Sequence, residues 1–201
     1  MKKSKKFLTA FMAVVMIAAC IAAPTYSWLS SRSEQVVNTF AGGAITVTID
    51  EAQVDTDGKK IDGGERVVAN SYKYAAGSVL DKDPTPTVLK GSVECYVFLC
   101  VENELDDLFS MDINTADWTK VSEERGKAIY IYKETVDAEN ADEDITLTPI
   151  FTQVTVSKEL TQDDVARLGE KNVNVTAYAI QTEALTQDEA INEACGQFFT
   201  N

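Results

Sequence analysis

The strongest hydrophobic pattern in the chain lies at residues 93–101, which read VECYVFLCV. Apolar side chains fall on both faces at period two, with Val93, Cys95, Val97, Leu99 and Val101 on one face and Tyr96, Phe98 and Cys100 on the other. A strand that is apolar on both faces belongs inside a sheet rather than at its edge. We therefore predict that this segment is the central strand of the fold.

A second strand is predicted at residues 44–50, where Ile45, Val47 and Ile49 alternate with threonines. Before the central strand, Pro84 and Pro86 remove backbone donors, so the DPTPT segment is expected to be an edge or a connection. Residues 102–122 are expected to be irregular. Further short strands are predicted at residues 67–74, 128–132, 145–150, 151–157 and 173–182.

Two helices are indicated by their N-terminal caps. Thr161 is followed at the third position by Asp164, and Thr186 is followed in the same way by Glu189. The first helix is expected to end at Gly169 and the second near Gly196, because glycine favours helix ends. With about seven to nine short strands, the pattern predicts an all-β fold, most simply a two-sheet sandwich with one or two short helices, one of them C-terminal.

The N-terminus has the pattern of a secretory signal peptide: a lysine-rich stretch is followed by an uncharged apolar run at residues 7–23. Small residues precede Trp28, so we predict cleavage between Ser27 and Trp28. A retained N-terminal anchor is one alternative. Another is a lipobox, Ile17-Ala18-Ala19-Cys20, in which Cys20 would be lipidated and become the first residue.

The charge limits the classes of partner. The full chain has 32 acidic and 18 basic residues; cleavage after Ser27 removes four of the basic residues and none of the acidic ones, which leaves a net charge of −18. Such a chain has no general affinity for nucleic acid or anionic membranes. The balance favours a soluble, self-repelling exported protein.

The side chains present exclude several kinds of chemistry. The chain has no histidine, which excludes Ser-His-Asp and Cys-His catalysis and every zinc site built on histidine. Cys95 and Cys100 face opposite sides of one strand and cannot pair with each other; burial as small apolar residues is expected. A disulfide between Cys195 and one of these two cysteines is an alternative. We predict no enzymatic activity.

The acidic loop at residues 51–65 is the candidate for a metal ion. Asp55, Asp57 and Asp62 are weak candidates for calcium ligands, because calcium takes several oxygen ligands on a flexible turn. The spacing of an EF-hand is absent, and a solvated turn is the favoured interpretation. No other cofactor is predicted.

Several short motifs occur along the chain: Ala76-Gly77, Lys82-Asp83, Gly91-Ser92, Tyr96-Val97, the processing segment around Trp28, and the sequence AYAIQTE at residues 177–183 before the terminal helix. Together they resemble the TasA/camelysin family of secreted surface proteins of Gram-positive bacteria. The resemblance implies a jelly-roll-like sandwich at residues 44–201 and removal of the signal peptide, residues 1–27, by a dedicated signal peptidase of the SipW type. Secretion to the extracellular matrix or the cell surface is the implied localisation.

By the same resemblance, the extended segment at residues 28–43 is a donor strand that builds head-to-tail homopolymers, the fibres of a biofilm matrix. Val36, Val37 and Phe40 would then enter the next subunit. Other matrix or cell-wall components are further possible partners. Camelysin is classed as a metalloprotease, and the missing histidines argue against that activity here. A monomeric or lipid-anchored binding module on the cell surface is the alternative.

Overall fold

A computed structural model describes residues 27–30, 39–40, 43–105, 107–168, 171–183 and 185–199. The strands before the central one are β1 (Ser27–Ser30), β2 (Thr39–Phe40), β3 (Gly43–Ala44), β4 (Val47–Ala52), β5 (Arg66–Val67), β6 (Ser71–Tyr74), β7 (Val79–Asp81) and β8 (Thr85–Val88). The later strands are β9 (Cys95–Asn103), β10 (Phe109–Met111), β11 (Trp118–Glu124), β12 (Lys127–Tyr132), β13 (Ile145–Thr146), β14 (Gln153–Val156) and β15 (Val173–Gln181). Helix α1 (Gln162–Leu168) precedes β15, and helix α2 (Gln187–Phe199) follows it.

The predicted central strand is confirmed as β9. It pairs antiparallel with β12 on one side and with β15 on the other, in a sheet of order β11-β12-β9-β15. The side chains on both of its faces are mostly buried, which is why an inner position stabilises this sequence.

The other strands form further antiparallel sheets. One has the order β13-β8-β4-β5, and another has the order β10-β14-β7. The chain leaves the β13-β8-β4-β5 sheet after β8 to form β9 of the β11-β12-β9-β15 sheet, and it returns from β12 to β13. The predicted all-β class with two helices, one of them C-terminal, is confirmed.

The core has two parts, one on each face of the β9 sheet. On one face, Val97 and Leu99 of β9 pack with Ile49 of β4 and with side chains of β6, β7 and β14. On the opposite face, Phe98 packs against helix α2 through Ala190, Ala194 and Phe198. Tyr178 of β15 joins this second cluster, with its ring centroid 6.1 Å from that of Phe198.

Both predicted capping boxes are confirmed. The Thr161 hydroxyl accepts the Asp164 N–H at 3.2 Å while the Asp164 carboxylate accepts the Thr161 N–H at 3.0 Å. Thr186 and Glu189 repeat this arrangement, and there the Thr186 N–H donates to Glu189 at 2.8 Å. The predicted end of α2 near Gly196 is wrong: the helix continues to Phe199, because the buried Phe198 holds its last turn on the sheet.

Two other expectations need correction. The region expected to be irregular, residues 102–122, contains β10 and most of β11; the outer strand β11 is largely polar and exposed, so hydrophobic alternation does not mark it. The DPTPT segment, residues 83–87, is not an edge throughout: in the strand registers Thr85 and Pro86 pair with β4 only, whereas Thr87 lies between β4 and β13. Its ladder with β13 begins after Pro86, where no proline donor is missing.

Candidate functional site

Strand β6 is anchored in the core by alternate side chains. Tyr72 and Tyr74 are both 1% exposed, and the ring of Tyr74 meets Phe109 edge-on at 5.1 Å between centroids. The Tyr72 hydroxyl donates to the carbonyl of Asp81 at 3.0 Å. Burial, with the charge of Glu51, raises the pKa of Tyr72, so the hydroxyl stays a donor. The inward face of β6 is therefore fixed by packing and by a hydrogen bond.

The backbone edge of β6 pairs with the N-terminal strand β1. The pairing is antiparallel over four residues, with Ser27 opposite Tyr74 and Ser30 opposite Ser71. Within the described residues these two strands form a sheet of their own, so β1 is the one recorded ladder partner of β6. A segment that begins at the predicted cleavage site thus completes the edge of a strand rooted in the core.

A groove of about 410 Å³ lies at the end of β6 where Ser27 pairs with Tyr74. Its walls come from β6, from the turn after it and from the neighbouring hairpin. The lining residues are Thr56, Asp57, Lys73, Tyr74, Ala75 and Ser78.

The hairpin beside β6 depends on Gly58. This residue has a φ of +72°, and a Cβ there would lie 2.7 Å from Cδ2 of Leu80 and 3.2 Å from Cδ1 of Tyr72. Asp55 closes the turn, because its Oδ1 accepts the N–H groups of Asp57 and Lys59, both at 2.9 Å. The loop is thus a structured support for Tyr72.

The weak calcium candidates are not assembled into a site. Asp55 is engaged by backbone N–H groups, and Asp57 and Asp62 are exposed. In the part of the chain that the structure describes, no group of three or more acidic, cysteine or histidine side chains could hold a metal ion.

A cluster of three polar side chains is buried beneath strand β6. Glu51 is 1% exposed, Lys82 is 3% exposed and Asn70 is 8% exposed. The Lys82 Nζ donates to Glu51 Oε2 at 2.5 Å. The other oxygen of Glu51, Oε1, accepts the Asn70 backbone N–H at 2.9 Å and its side-chain Nδ2 at 3.1 Å. One carboxylate therefore joins the lysine to the asparagine.

The neighbours of this cluster hold it in register. Asp83 Oδ1, next to Lys82 in sequence, accepts the backbone N–H of Ala52, next to Glu51, at 2.6 Å. Burial lowers the pKa of Lys82 from its ordinary value, while the carboxylates of Glu51 and Asp83 act in the opposite direction. The cluster is a buried amine next to a carboxylate and an amide.

The sequence interpretation missed all three members of the cluster, although a signal was present. Position 51 continues the inward face of Ile49, position 70 precedes the inward Tyr72, and position 82 follows the inward Leu80, each at a spacing of two. Extending each apolar face by one step places the three polar side chains in the interior. Charged residues at such positions are more often solvated, which is why Glu51 was assigned to a loop.

Only some of the predicted donor and processing residues are among those that the structure describes. Cys20, Val36 and Val37 lie outside the described residues. The predicted cleavage site, between Ser27 and Trp28, falls at the start of β1. Phe40 lies in β2 and pairs with Gly43 of β3.

The three described cysteines are free. The expected burial of Cys95 and Cys100 as small apolar residues is confirmed. Cys95 and Cys100 are buried on opposite faces of β9, and Cys195 is partly exposed on α2. The open alternative of a disulfide to Cys195 is therefore not observed. Across the described ranges, no helix is long and apolar enough to span a membrane.

Comparisons with family models, with curated proteins and with solved structures gave no match.

Proposed function

We propose that this chain is a secreted structural protein whose N-terminal strand adds to the β6 edge of a neighbouring copy, so that copies join head to tail into extracellular fibres. The observation that carries the proposal is the β1–β6 ladder. Addition of an extended segment to an open sheet edge is a common way for proteins to bind a strand.

The strand and its acceptor have unequal ties to the domain. β6 is fixed by Tyr72 and Tyr74, whereas the described contact of β1 with the domain is a backbone ladder of four residues. Three of the four, residues 28–30, remain in a chain that is cut after Ser27. Twelve residues separate Ser30 from Gly43. The same ladder forms with identical geometry when β1 comes from a second copy, so the exchange loses little contact energy.

The direction of such an exchange leads to a polymer. Each copy offers one donor strand and one acceptor edge, and these are different surfaces. A contact between different surfaces extends without limit unless a rotation closes it into a ring. The resemblance to TasA/camelysin proteins supports the same architecture, and the signal-peptide pattern supports secretion.

The proposal is tested on protein recovered from the medium and from the cell surface. N-terminal sequencing and intact mass are expected to give a chain that starts at Trp28, and negative-stain microscopy of the same sample is expected to show filaments. Deletion of residues 28–42 should abolish the filaments and leave a folded domain by circular dichroism. A lipidated chain starting at Cys20 that stays monomeric would contradict the proposal and support an anchored binding module.

A further inference from the structure

We propose that Lys82 and Asn70 become joined by an amide bond between their side chains, with Glu51 transferring the protons. The proposal concerns a covalent modification inside one chain and is independent of whether copies polymerise. It rests on the three-residue cluster under β6, where a buried carboxylate contacts both the amine and the amide.

The nucleophile is the amine of Lys82. A lysine attacks a carbonyl carbon only as the neutral amine, and burial favours that form. Lys82 is 3% exposed, and Glu51 Oε2 at 2.5 Å is the direct acceptor for its proton. Transfer of this proton converts a buried ion pair into a neutral amine and a neutral carboxylic acid. The conversion also removes the cost of holding two charges away from water.

The electrophile is the side-chain amide carbon, Cγ, of Asn70. Its oxygen accepts the Val54 N–H at 3.1 Å, so a fixed backbone donor already faces the atom on which negative charge develops. Its nitrogen donates to the Ala52 carbonyl at 2.8 Å and to Glu51 Oε1 at 3.1 Å. The amide is thus held in place at both ends, and its nitrogen contacts the group that would protonate it.

The reaction balances without any added reagent. The lysine nitrogen forms a bond to Cγ of Asn70 and gives its remaining extra proton to Glu51. Glu51 protonates Nδ2, the bond from Cγ to Nδ2 breaks, and ammonia leaves. The products are a secondary amide, a neutral Glu51 and one ammonia molecule. The chain therefore loses about 17 Da, the mass of ammonia, in this nucleophilic substitution.

The position of the bond has a mechanical consequence. Asn70 directly precedes β6, and Lys82 directly follows β7. A covalent link between them closes a short loop and ties the strand that pairs with β1 to its neighbour in the core. β6 would then stay covalently attached to its neighbour even when its side-chain packing is lost.

Mass spectrometry of the purified full chain after tryptic digestion tests the bond. Trypsin cleaves after lysine and arginine, so an unlinked chain gives separate peptides for residues 67–73 and 74–82. The proposal predicts that cleavage after Lys82 fails and that residues 67–73 appear joined to residues 74–90, with a loss of about 17 Da. Fragmentation should place the link between Asn70 and Lys82.

Three variants sharpen the result. Asn70→Ala and Lys82→Arg remove the electrophile and the nucleophile, and Glu51→Gln keeps a hydrogen-bonding side chain but removes the proton acceptor. In all three variants, trypsin should cleave after position 82, whether it is lysine or arginine, and release residues 67–73 and 74–82 as separate peptides. Because any of these variants could fail to fold, the deciding measurement is the peptide mass from the chain that carries no substitution.

Two results would overturn the proposal. One is complete release of unmodified peptides 67–73 and 74–82 from protein that is folded by circular dichroism. The other is a loss of about 18 Da, the mass of water, in a link from Lys82 to the peptide that carries Glu51, since this would make the carboxylate the electrophile.

Discussion

The amine of Lys82 lies 2.5 Å from Oε2 of Glu51, and the two side chains are 2% and 1% exposed. A buried pair of this kind is costly to break, because removing one partner leaves the other charge without compensation in the interior. The geometry makes this pair the polar centre of the region that supports β6.

Substitution of Lys82 by methionine tests the importance of the pair. In a chain in which the proposed amide bond has not formed, we expect Lys82→Met to lower the free energy of unfolding by about 3 to 5 kcal/mol, because Glu51 loses its cation. Lys60→Met is the matched control: the Lys60 side chain is 56% exposed in its ion pair with Asp83 at 3.5 Å, so its loss should cost no more than about 1 kcal/mol. Urea unfolding followed by circular dichroism measures both. Equal effects of the two substitutions would contradict the account.

Glycine 58 gives a second prediction. Gly58→Ala should destabilise the protein by roughly 1 to 2 kcal/mol from the positive φ and by about 1 to 3 kcal/mol more from overlap with Leu80 and Tyr72. Gly63→Ala has nearly the same φ, +70°, but its Cβ would meet no atom within 4 Å, so only the first cost applies. Thermal unfolding of the two variants side by side measures the difference. The hairpin does not support β6 as described if both variants unfold alike.

The buried thiols give a third prediction. Burial raises the pKa of Cys95 to about 12 and that of Cys100 to about 11, so neither forms a thiolate readily near neutral pH. Iodoacetamide at about pH 8 should therefore label the folded mature chain at Cys195 alone, and the unfolded chain at all three positions. Peptide mapping identifies the labelled sites. Labelling of Cys95 as fast as Cys195 in the folded protein would disprove the described burial.

The cap of α2 gives a prediction about pH. Hydrogen bonds from the backbone N–H and then the hydroxyl of Thr186 lower the pKa of Glu189 below its ordinary value. A carboxyl with a lowered pKa in the folded state stabilises the protein above its unfolded pKa, and that contribution is lost as the pH falls through the folded value. Thr186→Ala should raise the pKa of Glu189, as measured by an NMR titration of its side chain. Thr161→Ala, which alters the other capping box, should leave it unchanged.

Much of the fold follows from local sequence patterns. The central strand, the half-buried strand β4 and the starts of both helices could be predicted, because period-two alternation and capping boxes are properties of neighbouring residues. The outer strand β11 could not, since its exposed polar residues have no apolar face to mark it.

The candidate site is harder to predict for a physical reason. Period two places Glu51, Asn70 and Lys82 inward one at a time, but it does not bring them together; they form a cluster only because β4, β6 and β7 converge. Likewise, the polar segment at the predicted mature N-terminus gives no indication of which strand it pairs with. Both features depend on contacts between distant parts of the chain.

Disulfide trapping across the β1–β6 ladder tests whether β1 adds to the β6 edge of a neighbouring copy. Trp28 and Lys73 are opposite each other in the register, so cysteines at these two positions can be joined only when the strands pair. The two substitutions, Trp28→Cys and Lys73→Cys, are placed on separate chains that also carry Cys195→Ser, and the chains are mixed and oxidised. Trp28→Cys mixed with Lys120→Cys, at an exposed site on β11, is the control.

If β1 pairs with a neighbouring copy, the Trp28→Cys and Lys73→Cys mixture gives a disulfide-linked heterodimer, and the control mixture gives no such product. The protein without these substitutions forms filaments. One result would contradict pairing with a neighbouring copy: no heterodimer in the mixture, together with an intramolecular disulfide when both cysteines are placed on one chain. That outcome would mean that β1 completes the edge of its own domain and that the chain stays a monomer.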